Sequence, residues 1–299
     1  MRLDTAVVGI DFSPESIATA NWIAGTLARA ARVVLAHAIE PPARPAFLVA
    51  ETLPPEMLAI SAQAKAHERL ADIAATIHGP SVNHEVRTGR AHTVIAELAK
   101  EVGADLVALG PHRNYEHSSM LLGTTADVVI RNASVPVLIG SRLPSRNRTR
   151  VVAGVTDSSA LPRVFAFADD LAARLGARLT LVNVIESAAY THMASVAAAH
   201  AHGDDERERA EVEGNLRWQT VHWLWKAAAA GIEPARVDTR VEHGAAAEAI
   251  LEVARQEKAA LIVLGGHTPV RHLPSVLGRT VRHVLYGARC GVVVVPALS

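Results

Sequence analysis

The chain has 299 residues, 30 basic and 30 acidic side chains, and a hydrophobic fraction of 49%, which favours two domains, each large enough to bury a core. Charge is spread evenly, with 12 basic against 14 acidic residues in 1–145, three Arg in 146–150, and 15 against 16 from 151 onward. Neither half is a polycation, so nucleic acid and anionic membrane surfaces are excluded as expected partners.

The first residues, MRLDTAVVGIDFSPES, carry Asp4 and Asp11 inside any apolar stretch, and no apolar run approaches the roughly 18 residues of a spanning helix. No membrane association is expected, and the expected location is the cytoplasm. Strands are read at 5–10, 33–39, 82–87, 105–110 and 135–139, with helices near 14–30, 54–78, 92–102 and 124–133. Ser13-Pro14 supplies an N-cap followed by proline at the first helical position, and Ile17, Ala20, Ile23, Ala24 and Leu27 keep helical spacing behind it. Strands apolar almost throughout, such as Leu106-Val107-Ala108-Leu109, are buried on both faces.

The second half repeats the first. TAVVGIDFS (5–13) matches RVVAGVTDS (150–158), RVVLAHAIE (32–40) matches RLTLVNVIE (178–186), and ADLVALG (104–110) matches AALIVLG (259–265). Gly110 and Gly123 recur as Gly265 and Gly278 at one offset of 155, whereas the early strands are offset by about 146. The second copy has gained residues mid-domain, in the segment 187–215. The expected organisation is a domain at 1–145, a linker at 146–149 and a domain at 150–299. Alternating βα units make this an α/β chain of two tandem Rossmann-like domains, each an open parallel five-stranded sheet with helices on both faces.

Ligands of such sheets collect beyond the carboxyl ends of the strands, at the switch point of strand order. The residues there are Asp11 after the first strand, Ala38 near the end of the second, Gly110 after the fourth, and Gly123-Thr124-Thr125 at the start of the last helix. A helix start preceded by glycine offers backbone N–H groups and the positive end of a dipole to a phosphate, and the two threonines add hydroxyls. The alternative is that Thr124 merely caps its helix.

These residues resemble the universal stress protein family, and the whole chain, in two copies, looks like a tandem member. The likeness rests on an Asp after strand one and on G-x-x-G-x9-G-[ST] after strand four. The first copy reads Gly110-Pro111-His112-Arg113, nine residues, then Gly123-Thr124. The resemblance implies that Asp11 and Ala38 face a nucleoside and that Gly110, His112, Gly123, Thr124 and Thr125 hold phosphates, so that ATP, with Mg²⁺, is the expected ligand of the first domain. It also implies pairing of the two domains through their last strands, with a homodimer as a further possibility.

Arg113 stands where the pattern has its second glycine. Its side chain either obstructs the pocket or pairs bidentately with the triphosphate. The second copy departs at three places: Thr156 replaces the Asp, with Asp157 one residue late, Thr268 replaces the second glycine, and Arg279 replaces the hydroxyl residue. That copy reads as a degenerate scaffold, or as a site for a smaller anion.

No Walker loop, G-x-S-x-G elbow or carboxylate pair accompanies the glycine loop, so no catalysis beyond weak ATP hydrolysis is expected. The expected function is a stress-response protein binding ATP as a regulatory ligand, and the alternative is a nucleotide-free interaction protein. Among 15 His, His200 and His202 with Asp204 and Asp205 are the best local cluster, but H-x-H lacks zinc-motif spacing and no metal is expected. Trp218, Val221 and Trp225, at helical spacing with Trp223 off the stripe, read as core or interface. The single Cys290, in an apolar pattern near the chain's end, reads as a buried, inert thiol in a reducing compartment.

Overall fold

The computed structural model describes residues 3–27, 32–40, 55–77, 81–111, 123–140, 143, 150–185, 218–266 and 277–297. The chain divides into two compact units, Arg2–Leu143 and Pro144–Ser299.

In the first unit, β1 (Thr5–Gly9) leads to α1 (Pro14–Trp22), which continues as a π-helical turn over Ile23–Leu27. Then come β2 (Arg32–Ile39), α2 (Pro55–Thr76), β3 (Ser81–Thr88), α3 (Ala91–Glu101), β4 (Leu106–Leu109), α4 (Thr124–Asn132) and β5 (Val137–Ile139). The strands lie in the order β3-β2-β1-β4-β5, every pair parallel. The chain walks outward from β1 to β3, crosses back and walks the other way through β4 and β5. Right-handed crossovers then put α1 and α2 on one face and α3 with α4 on the other, where those two helices pack together. β1 and β4 sit centrally and are buried on both sides, with Ala6, Val7, Val8, Leu106 and Ala108 wholly inaccessible or nearly so.

Local signals set the ends of these elements. Ser13 caps α1, its Oγ accepting from the Ser16 N–H at 3.2 Å, with Pro14 at the first position. The predicted first helix runs to residue 30, but its regular α geometry ends at Trp22 and the π turn that follows contains Gly25, a poor helix former. β5 begins at Val137 and not at 135, since Pro136 has no N–H and joins the ladder only through its carbonyl, which accepts from Val107.

The second unit holds β6 (Arg150–Val155), α5 (Leu161–Leu175), β7 (Arg178–Ile185), a helix over 218–229 (α6), β8 (Val237–His243), α7 (Ala246–Gln256), β9 (Leu261–Gly265), α8 (Arg279–Gly287) and β10 (Gly291–Val295). Its order is β8-β7-β6-β9-β10, again all parallel. The internal repeat is therefore a repeat of packing as well. A Cβ on Gly9 would come within 2.6 Å of Leu109 and 3.0 Å of Ile95, and one on Gly154 within 2.8 Å of Leu264 and 2.9 Å of Ile250. These are corresponding side chains, so in each unit the glycine of the β1-type strand faces the corresponding leucine, and the corresponding isoleucine of the α3-type helix. Cys290 is buried immediately before β10. Among the described residues no helix is long and apolar enough to cross a membrane.

Trp218, Val221 and Trp225 do not join the core. They are 61%, 63% and 69% exposed, while Trp223, on the opposite face of α6, is 3% exposed.

Candidate functional site

The reversal of strand order falls between β1 and β4, and a cleft of about 190 Å³ opens at their carboxyl ends. Asp11, Ala38, Gly110, Gly123, Thr124 and Thr125 all line it, together with His37, Ser16 and the first residues of α3. Six of the eight residues expected at a site are thus brought together from four separate parts of the chain. His112 and Arg113 lie outside the described residues, between Pro111 and Gly123, which are themselves on the cleft wall.

The turn after β1 is held by its own side chains. Oδ1 of Asp11 accepts from the Ser13 N–H at 2.9 Å and from the Ser13 hydroxyl. This pins an exposed carboxylate at the rim. Between them Phe12 takes φ 63°, a left-handed conformation that costs a side-chain-bearing residue roughly 1 to 2 kcal/mol. Its ring contacts offset that strain: it lies 4.3 Å from the His37 ring, and the Arg69 guanidinium of α2 sits 4.4 Å above it.

His37, on β2, is bonded through Nδ1 to the carbonyl oxygen of Ile10 at 2.7 Å. A carbonyl only accepts, so Nδ1 donates in this bond and Nε2 is left facing away from it. Gly110 faces α1. A Cβ there would meet the Ser16 Cα and N at 3.0 Å, so the glycine is required by the close passage of a helix backbone.

Two helices begin at the cleft, and they differ. The first N–H of α3, on Ala91, donates to Glu40 Oε1 at 3.0 Å. The start of α4 has no side-chain cap: its N-cap is Gly123, and the first intrahelical bond runs from the Asp127 N–H to the Gly123 carbonyl at 3.0 Å. The N–H groups of Thr124, Thr125 and Ala126 consequently have no intrahelical acceptor, the condition for anion binding at a helix start. Thr124 is the first residue of α4, so it does not cap the helix. Asp127, the acidic residue of the first turn, is paired with Arg131, which offsets its charge near that start.

The corresponding turn of the second unit is built differently. Thr156 and Asp157 are exposed, and Asp157 pairs with Lys226 of α6. Arg279 is the exposed first residue of α8, behind the N-cap Gly278. One contact is retained: Asn183 Nδ2 donates to the Val155 carbonyl at 3.0 Å, matching the bond from His37 to Ile10. His267 and Thr268 lie outside the described residues, as do His200, His202, Asp204 and Asp205. Among the described residues no three His, Cys, Asp or Glu side chains converge as a metal site would require.

The model of the universal stress protein family matches the chain twice, over residues 3–140 and 147–296. The chain belongs to the universal stress protein family. As two such domains in tandem, this universal stress protein is 42% identical over 79 residues to universal stress protein G of Shigella flexneri and to that of Escherichia coli O157:H7. Those matches take in 26% of the chain and 55% of each relative, so the chain spans about half the length of the curated relatives it matches. Among solved structures, a universal stress protein from Archaeoglobus fulgidus DSM 4304 is similar at TM-score 0.71 and 19% identity over 100% of both chains. A functionally unknown protein from Pseudomonas aeruginosa PAO1 is similar at TM-score 0.61 and 16% identity, over 99% of this chain and 93% of its own. At such identities the likeness is one of fold.

Sequence reasoning missed His37, Phe12 and Arg69. The signal for His37 was present, as the polar break in the apolar run VVLAHAI that falls opposite Asn183 in the repeat. Phe12 and Arg69 gave none, because a left-handed turn at a phenylalanine and a contact from a helix 57 positions away follow from tertiary packing alone.

Proposed function

We propose that the first unit of this universal stress protein binds ATP as a regulatory ligand in a stress response, without catalysis of its own, and that the second unit serves as scaffold. The observation that carries the reading is the uncapped start of α4, Gly123-Thr124-Thr125, in the same cleft as the pinned carboxylate of Asp11. Phosphate would meet the N–H groups and hydroxyls there, Asp11 and the Ala38 backbone would lie on the nucleoside side, and Mg²⁺ would arrive on the triphosphate. His112 and Arg113 belong to the same proposal, with Arg113 as a charge-assisted phosphate contact. ATP itself supplies only a ligand charge and shape, and this chain's residues bind and orient it. The second unit lacks the carboxylate, engages Asp157 with Lys226 and puts Arg279 at its helix start, which argues against ATP there.

One observation favours the other reading, a nucleotide-free interaction protein. Gly110 is accounted for by α1 packing alone, and Gly123 has φ −52°, which any residue adopts. Acid denaturation of the purified protein followed by mass spectrometry, with ATP titration calorimetry, separates the two. Released adenine nucleotide or a saturable ATP heat supports the regulatory site, and neither signal leaves the interaction protein standing.

A further inference from the structure

Helix α6 presents an apolar stripe to solvent at Trp218, Val221, Trp225 and Ala228. The spacing is 3, 4, 3, the seam of a helix pair, and Trp223, on the other face, anchors the helix to its own unit. We propose that this stripe is a self-association surface, on which α6 of one molecule packs antiparallel against α6 of a second copy of the chain.

The choice of occupant follows from the order of sizes along the stripe. Reversal pairs Trp218 with the second copy's Ala228 and Val221 with its Trp225, so large meets small at every level, as interdigitated packing requires. A parallel pairing would set tryptophan on tryptophan twice. Charge is permissive: none of the four positions carries a charge, Lys226 is tied back to Asp157, and His222 stacks on Trp218 at 5.0 Å. Two tryptophans and a valine, each about two-thirds exposed, present on the order of 400 Å² per copy. Doubling this gives about 800 Å², short of the ~1,200 Å² of stable interfaces, so the dimer is weak and reversible.

The test is sedimentation equilibrium of the full chain from about 1 to about 500 μM, spanning weak-dimer affinities. The mass of wild type should climb from 31.7 kDa toward twice that value. Val221→Asp and Trp225→Glu, both at exposed positions, should raise the dissociation constant at least about tenfold, the cost of a charge buried in an apolar seam, with unchanged circular-dichroism melting. Orientation has its own readout. Along an antiparallel pair residue 218 lies about 15 Å from its own counterpart, beyond disulfide reach, but faces residue 228 of the other copy. Oxidising a mixture of Trp218→Cys and Ala228→Cys should give a mixed disulfide, and either variant alone should not; the native Cys290 is buried and does not interfere. A wild type that stays monomeric throughout, a dimer indifferent to both charge substitutions, or self-linking of Trp218→Cys would each overturn the proposal.

Discussion

Asp11 Oδ1 accepts from both polar groups of Ser13, whereas Asp157 pairs with Lys226 across the corresponding turn. Asp11→Ala should therefore weaken ATP binding about tenfold or more, since a charge-assisted bond is worth roughly 1.5 to 3 kcal/mol, while Asp157→Ala leaves it unchanged. Equal losses in titration calorimetry would show that the two turns are not in the register given above. Arg113→Gly should lower ATP affinity by a similar factor, most visibly at low salt; tighter binding instead would identify the side chain as an obstruction. Arg279→Ser alone should create no second ATP site, because Thr156 still stands where the carboxylate is needed. Gly110→Ala should destabilise the first unit by about 1 to 3 kcal/mol in urea denaturation, because its Cβ would press on backbone atoms of Ser16 that cannot swing aside.

Among the elements, the amino ends of β6, β7 and β8 are tied by Asp238, whose carboxylate accepts from Arg178 at 2.9 and 3.2 Å and from Arg150. The Arg178 bonds come first in holding its pKa below the ordinary carboxylate value of 3.8, with Arg150 adding to them against the opposing effect of burial. A lowered folded pKa gives stability that is fully present above the unfolded value and is lost as pH falls through the folded one. Asp238→Asn should thus cost about 0.5 to 1 kcal/mol at neutral pH, modest because the side chain is more than a third exposed, and nothing once both states are protonated. Urea midpoints across a pH series check this. Element identity in the first unit was legible because its central strands, such as β1 and β4, are apolar runs and Ser-Pro, Gly and the repeat punctuate the chain. What escaped was local: the π turn after Trp22 and the late start of β5, while for the stripe of α6 the sequence left core and interface both open. An apolar stripe at helical spacing looks the same in sequence whether it faces the core or solvent, and only the placement of Trp223 decides it.

For the whole molecule, the site residues described in the first unit all come from that unit. The isolated segment 1–145 should accordingly bind ATP with the affinity of the full chain, within about threefold, and 150–299 should show no ATP heat. A binding loss confined to the isolated first segment would mean that the second half contributes to the cleft. The candidate site was legible as a set of positions but not as an arrangement, since the capping of α3 by Glu40 and the uncapped start of α4 depend on contacts between remote segments. The two bonds from β2 and β7 to the preceding strand ends carry a last consequence. Duplication has run a control experiment inside one polypeptide: at position 183 a carboxamide holds the strand-end carbonyl, where at 37 an imidazole does. The architectural task therefore requires no aromatic ring and no ionisable group. Subtracting Asn183 from His37 leaves a flat face, which lies against Phe12, and a second nitrogen as the added chemistry of the first copy, and His37→Asn tests it: ATP affinity should fall, while the melting temperature drops only by what the lost Phe12 contact is worth.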